Sequence, residues 1–429
     1  MRQGAGARWV VAAVTVAAIG LATPASSCTP IERAVVSAVS DSPVLGASRM
    51  AVERAELERR SVRANWRPQL SAFGRTSAGD REFGRIQTDN SAGIRVGQRI
   101  FDFGQSRYEA EAADLAISES RFQYLAEQER TALSTALTYI DAAEADAKIE
   151  ALDSRLSYVR QRRDRFDTLF ELQQIRRSVL AEADGEVART EADMARLKAE
   201  RNRALNRLQV VVDGFSGLCR NTTLTTWLAP EVDRARSRAP SDVAASDPEL
   251  QSRRERAKRL SAEAALAKRA RLPVLEVVGT SSYGYDRGTE SWDTRNQIGL
   301  NVSLPLYTGG RQSAIRGIAN ADQAIGVFDA RETARLLRQD ILDARSNLAQ
   351  LEAEASSRAS ASASALEEFD ASQQEFELSA ITYTDLVETR LKYDTALLSE
   401  LTARHDLLRQ RVVLVSLVLG LNRVLDMNR

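Results

Sequence analysis

Two periods organise the apolar positions of this 429-residue chain. In Gln297 to Leu304 the alternation is strict: Ile298, Leu300, Val302 and Leu304 share one face, and Gln297, Gly299, Asn301 and Ser303 the other. Ala92, Ile94 and Val96 stand in the same way against Gly93, Arg95, Gly97 and Arg99. Leu275, Val277, Tyr283 and Tyr285 share a face in a third segment, and Leu70 to Gly79 is a weaker fourth. Polar loops near 80–90 and 286–295 join these segments in pairs, which predicts β-hairpins over about 69–101 and 273–306. The rest of the chain spaces its apolar residues by three and four. Gln105 to about Phe170 holds neither Pro nor Gly, so it predicts one helix about 95–100 Å long at 1.5 Å per residue. Gln312 to Phe376 repeats it, interrupted only by Gly317 and Gly326. Each long helix is followed by an antiparallel partner, Val179–Val212 or Thr384–Leu419.

The two sets are copies. Asp41-Ser42-Pro43 returns as Ser246-Asp247-Pro248, and Arg67-Pro68-Gln69-Leu70 as Leu272-Pro273-Val274-Leu275, both at an offset of 205. Arg99 to Gly104 returns as Pro305 to Gly310, and Val211 to Gly214 as Leu417 to Gly420, at an offset of 206. One inserted residue in the strand region accounts for the change. A period this long marks a duplicated domain-sized unit rather than a solenoid. The organisation expected is a signal peptide over 1–25, a first repeat over 26–220, an equatorial linker over 221–240, a second repeat over 241–420 and a tail over 421–429. Each repeat is expected to open with one helix, at about 31–66 and 241–271.

Four strands in two hairpins far apart in sequence cannot close a usable barrel, and an open sheet leaves unpaired edges. Three chains would supply twelve strands and close one. Strands of about 10–12 residues are long enough to cross a bilayer at a tilt. Ile94, Val96, Ile298, Leu300 and Val302 are then the lipid-facing residues, and Phe73, Tyr283, Tyr285 and Trp292 the interfacial aromatic belt. The fold class expected is mainly α with a small β part.

Composition narrows the function. Lys+Arg and Asp+Glu number 59 each, so no basic excess favours nucleic acid. The single histidine, His405, rules out sites that need two imidazoles, and its run Leu401 to Asp406 reads as a charged helix face. No phosphate loop, dinucleotide fingerprint or CxxC occurs. The chain reads as no enzyme, with no cofactor and no metal. Arg2 and Arg8, the apolar run Trp9–Ala22 and the small residues Thr23-Pro24-Ala25 read as a secretory leader. Export leaves three states open for Cys28: lipidation behind Ala25-Ser26-Ser27, a disulfide to Cys219, or a free thiol.

These features together resemble the TolC family of outer-membrane channels over nearly all of the mature chain. The resemblance is carried by the duplicated helix–hairpin–helix–turn–helix order and by the strand-to-helix exits. Arg99-Ile100-Phe101-Asp102-Phe103-Gly104-Gln105 and Leu304-Pro305-Leu306-Tyr307-Thr308-Gly309-Gly310-Arg311 are both similar to the family's Q-P-L-[FY]-D/T-G-G pattern. The first copy departs from it, with Arg99 for Pro and Phe103 for the first Gly. The resemblance implies a homotrimer with an α-barrel tunnel of about 100 Å below a twelve-stranded transmembrane β-barrel in outer-membrane lipid. It also implies docking to a periplasmic adaptor protein and to an inner-membrane ABC or proton-driven transporter, in efflux or type I secretion. A periplasmic adaptor or structural coiled-coil protein is the alternative. The turns Glu171–Ser178 and Leu378–Thr384 would be the periplasmic tips, and both lack the family's glycine. Thr384–Arg390 is similar to the D-x-L-D-A stretch behind the second tip, which makes Asp385 and Glu388 the candidate gate, or else ordinary solvated helix charges.

Overall fold

The computed structural model describes residues 28–81, 85–219, 227–286 and 291–425, so the leader lies outside the described residues. Helices α1 (Ile31–Ser40) and α2 (Pro43–Ala64) lead into strands β1 (Gln69–Arg81) and β2 (Arg85–Phe101). The long α3 (Gln105–Glu171) and its partner α4 (Arg177–Val211) follow. The second copy runs α5 (Ala229–Ser237), α6 (Pro240–Ala244), α7 (Pro248–Arg269), β3 (Val274–Asp286), β4 (Ser291–Ser303), α8 (Arg311–Glu377), α9 (Tyr383–Val418) and α10 (Leu421–Val424).

Each opening helix expected as one piece is two. The break falls on the repeated Pro element: Ser42 and Asp247 sit at N-caps with Pro43 and Pro248 in the first helical turn. Proline has no N–H to give to a preceding turn but fits the start of a new one. The Asp247 carboxylate accepts from Leu250 N at 2.7 Å. The segment expected as a linker carries α5, whose Val232 and Ala235 are buried in the main core.

α3 and α8 have 67 residues each, about 100 Å, and both run the full height of the helical part. On the strand side the helices lie in the order α2, α3, α7, α8, and away from the strands in the order α4, α3, α9, α8. The glycines of α8 do not break it. Gly326 instead admits α7: a Cβ there would lie 2.7 Å from Leu260 Cδ1 and 3.2 Å from Ala257 Cα.

The largest core lies at mid-height, where α1, α5, α6 and α10 wrap the long helices. Ala34, Val35, Ala132, Ala136, Ile140, Ile341, Leu348, Val412 and Leu421 are buried there. Position 139 and its copy 345 both clamp this belt. Tyr139 Oη donates to Thr29 O at 2.9 Å and accepts from Cys219 N at 3.1 Å. Arg345 donates to the carbonyls of Ala235, at 3.0 Å, and Arg238 at the end of α5. Beside Tyr139, Cys28 and Cys219 form a disulfide across 191 residues.

The strands form a single antiparallel sheet in the order β1-β2-β3-β4. The two hairpins, distant in sequence, meet where β2 pairs with β3. The strands are 13, 17, 13 and 13 residues long and take in much of what reads as polar loop. Pairing runs to Arg81↔Arg85 in the first hairpin and Asp286↔Ser291 in the second. The inserted residue of the second copy therefore falls at the hairpin tip.

The strand exits and the helix tips repeat at the 206 offset. At the exits, Phe103 (φ 54) and Gly104 (φ 84) match Gly309 (φ 61) and Gly310 (φ 86). The Asp102 carboxylate then accepts from Gly104 N at 3.1 Å and Ser106 N at 2.9 Å, and Thr308 Oγ1 from Gln312 N at 3.4 Å, which caps each long helix. At the tips, Gln173 (φ 60) and Ser379 (φ 61) take the left-handed position that glycine usually fills. Gln174 N donates to Leu169 O at 2.8 Å and Ala380 N to Glu375 O at 2.8 Å, so both helices end in a Schellman motif without glycine. A left-handed non-glycine residue costs about 1–2 kcal/mol. Gln173→Gly and Ser379→Gly should each raise unfolding free energy by about 1 kcal/mol, read from denaturation midpoints of the purified chain. Unchanged or lower midpoints would show that these two side chains make up the backbone cost elsewhere.

Candidate functional site

The sheet separates its two faces cleanly. Register places Leu70, Ile94, Val96, Leu275, Val277, Ile298, Leu300 and Val302 on one side. Ile298, Leu300 and Val302 are 84%, 62% and 60% exposed, and every residue of β4 is exposed. Tyr283, Tyr285 and Trp292 lie on this same face toward the hairpin tip. The Trp292 ring stacks on Tyr283 at 5.4 Å and meets Tyr285 edge-on at 6.0 Å. Phe73 does not join this belt. It pairs opposite Gly93, on the polar face, and its ring lies 5.7 Å from the Arg95 guanidinium carbon. Alternation within β1 was too weak to show which face Phe73 takes, because Ser71 and Ala72 are both small.

At the opposite end, Asp385 is built into the start of α9. Its carboxylate accepts from Thr382 N at 2.9 Å and Thr382 Oγ1 at 2.7 Å, while Asp385 N donates back to Thr382 Oγ1 at 3.3 Å. This is a capping box, and the Thr382 hydroxyl and N–H hold the Asp385 carboxyl below its ordinary range. Glu388, one turn on and exposed, lies 3.5 Å from Lys392 Nζ, which also reaches Glu368 at 3.4 Å. Within one chain, then, neither carboxylate is buried or paired with another acid.

Sequence reasoning missed a buried ionic joint above the tips. Arg155 of α3, Glu186 of α4, and Arg390 and Asp394 of α9 meet there, each buried. Asp394 lies 3.3 Å from Arg155 Nε and 3.1 Å from Arg390 Nε; Glu186 is 3.8 Å from Arg155 Nη2. The Arg390 guanidinium covers the rings of Tyr158, Phe369 and Tyr393 at 4.8–5.4 Å, and Arg162 covers Tyr158 and Phe376. The joint is incompletely satisfied: Arg155 Nε, Glu186 Oε1 and Tyr158 Oη lack hydrogen-bond partners. Burial pushes the Glu186 and Asp394 carboxyls up, against the pull of Arg155 and Arg390. No spacing rule could have found this site, because its residues come from three helices and both repeats. It fastens α9 to the α3–α4 helix pair, and two to three turns nearer the tips Phe166 and Tyr383 meet edge-on at 4.2 Å.

His405 corrects the reading of a charged face. It is buried, its Nδ1 lies 2.7 Å from Leu401 O, and burial lowers its pKa, so it stays neutral. Among the described residues no group of acidic, histidine or cysteine side chains could hold a metal ion. No described helix is long and apolar enough to cross a membrane.

Both halves of the chain match one sequence profile, that of the outer membrane efflux proteins, over residues 34–212 and 239–419. The chain belongs to the outer membrane efflux protein family. Solved structures of similar fold include the Campylobacter jejuni CmeC outer membrane channel, 14% identical, with a TM-score of 0.78 over 91% of this chain and 85% of that one. The outer membrane protein VceC from Vibrio cholerae is 16% identical, with a TM-score of 0.77 over 91% and 96%. The outer membrane efflux protein BepC of Brucella suis is 23% identical over 71% of this chain, and the match spans 66% of BepC, just under two thirds of its length. Family and fold are those of an outer-membrane transport channel, not of an enzyme or an adaptor.

Removing one partner of the joint strands the other charge. Asp394→Ala should cost about 3–5 kcal/mol. An acid whose pKa is raised by folding binds its proton more tightly in the folded state. Its contribution to stability is thus fullest at low pH and is lost as pH rises through the window above the ordinary carboxylate range. Glu186→Gln should therefore be more stable than the parent at pH 7, and the difference should shrink on acidification, as followed by thermal unfolding across pH. A destabilised Gln variant at pH 7 would mean that the Arg155 pair outweighs the burial of Glu186.

Proposed function

We propose that three copies of this chain close into a channel that serves as the exit duct of an efflux or type I secretion system, powered by an inner-membrane transporter through a periplasmic adaptor. The observation that carries the reading is the open sheet. β1 and β4 each present an unpaired edge, and lipid offers nothing to satisfy their N–H and C=O groups. Head-to-tail pairing of β4 with the β1 of the next copy meets that demand and makes twelve strands. An apolar stripe continues the open side downward: Ile315, Ile318, Ile325, Phe328 and Leu336 are exposed along one face of α8. Met50 and Leu57 are exposed on α2, at the opposite edge of the helix layer. A contact between unlike surfaces that closes by rotation gives a ring.

The lipid-facing and belt residues above, Phe73 excepted, form the outer wall of this barrel. Asp385 and Glu388 form the gate, as rings of three carboxylates where the tips converge. In this reading the mature chain begins near residue 26, and the bonded sulfur of Cys28 carries no thioether lipid.

Fractionation tests the whole: the chain should be found in the outer membrane as a trimer that resists detergent until heated. A soluble periplasmic monomer would sink the reading. For the gate, Asp385→Ala with Glu388→Ala should raise single-channel conductance and weaken block by divalent cations. Thr382→Ala is the control, since it loses the cap, worth about 1 kcal/mol, but keeps both carboxylates. If the control reproduces the double variant, Asp385 acts as a cap alone.

A further inference from the structure

The polar face of the sheet holds arginines in a narrow zone. Four consecutive rows on this face are complete across all four strands, and three of them carry the arginines: Ser71–Arg95–Thr280–Gln297, Phe73–Gly93–Ser282–Arg295 and Arg75–Ser91–Gly284–Asp293. Rows on one face are about 7 Å apart, so the arginines fall within about 14 Å along the strands. Arg75, Arg95 and Arg295 are all exposed. The acid in these rows is Asp293, whose Oδ1 accepts from Thr294 N at 2.7 Å. The row beneath, Gln69–Gly97–Val278–Gly299, carries no charge, and two of its four positions are glycine. Below that, Arg99 lies 3.5 Å from the buried Asp102, and Glu276 lies over Gly97. Arg95 is held against the face of Phe73 rather than left to swing.

We propose that these arginines form an anion-binding belt inside the barrel, which makes the exit lumen selective for anionic solutes. The inference rests on the trimeric barrel proposed above, since the polar face becomes the lumen only on closure. Closure triples the set to nine arginines against three Asp293 carboxylates within these three rows; by register the next row toward the tip holds Asp89 and Asp286 on the same face, and the Arg81–Arg85 pair lies beyond it. Guanidinium forks bind carboxylates and phosphates by paired charge-assisted hydrogen bonds, and arginine rings select anions in pores. The apolar opposite face, with Ile298, Leu300 and Val302, fixes which side meets water. The acidic tip at Asp385 and Glu388 lies the length of α8 away, far beyond a Debye length of about 8–10 Å. The two ends of the duct therefore act on permeating ions independently.

The test is block of single channels of the full trimer in planar bilayers, in magnesium-free buffer. Inorganic tripolyphosphate and spermidine are added in turn to each side. Tripolyphosphate should block from the side of the hairpin tips, more weakly as salt rises, and spermidine should not. Replacing Arg75, Arg95 and Arg295 together by Gln should raise the half-blocking concentration by about tenfold or more, as expected for lost charge-assisted contacts. Replacing all three by Lys should keep most of the block. Arg95→Gln alone, a milder change, should give a partial loss if the triple Gln variant does not assemble. Spermidine block from the hairpin side, or tripolyphosphate block that Arg95→Gln and the triple Gln variant both leave intact, would overturn the belt. A parent chain that forms trimers but no pore would overturn the channel reading and the belt with it.

Discussion

The proposed assembly answers to two rows of unpaired backbone groups at the sheet edges. In water they would be a tolerable liability; in hydrocarbon each unsatisfied N–H or C=O costs several kcal/mol. One chain supplies four strands and so cannot remove its own edges. The need for closure explains why β4 is exposed along its whole length. It also explains why apolar residues continue down the same side of α8, where a soluble helix would be polar. The long helices take their places from the sheet, because α3 follows β2 and α8 follows β4 after short connections.

Duplication makes this economical without making the halves equal. The long helices, the left-handed exits and the Schellman tips recur at one offset, so the same backbone is built twice. Side chains then diverge at fixed points of that frame. Asp102 becomes Thr308 at the helix cap, Phe103 becomes Gly309, and Tyr139 becomes Arg345. The tips diverge in charge as well: Arg176, Arg177 and Val179 at the start of α4 become Thr382, Tyr383 and Asp385 at the start of α9, while Glu182 and Glu388 match. A pseudo-sixfold ring with alternating tips follows from a threefold assembly of such a chain.

The buried joint of Arg155, Glu186, Arg390 and Asp394 sits where the two halves must hold together. Buried ion pairs seldom add net stability, since desolvation offsets their attraction. Here several polar atoms are left without partners, so the joint positions α9 against the α3–α4 helix pair without locking it as an apolar core would. Hydrophobic contacts at that height are few by comparison with the mid-height belt, where the disulfide and the short helices converge.

Much of the architecture could be read from local pattern. Ile298, Leu300 and Val302 announce a strand because side chains alternate every second residue. Gln105 to Phe170 announces a helix because nothing in it breaks one. The duplication was legible for the same reason: like backbone needs like residues at caps and turns. Packing decided the remainder. Pairing of β2 with β3, and with it the face taken by Phe73, depends on register between distant segments. Gln173 and Ser379 adopt left-handed turns because the helix pairs they join leave no other path, not because their own chemistry asks for it. His405 lies in a run that reads as a charged helix face and is buried, as are Glu186 and Asp394, because neighbouring helices cover them. Periodicity reports which face of an element is apolar; what comes to lie against that face is set by partners far along the chain.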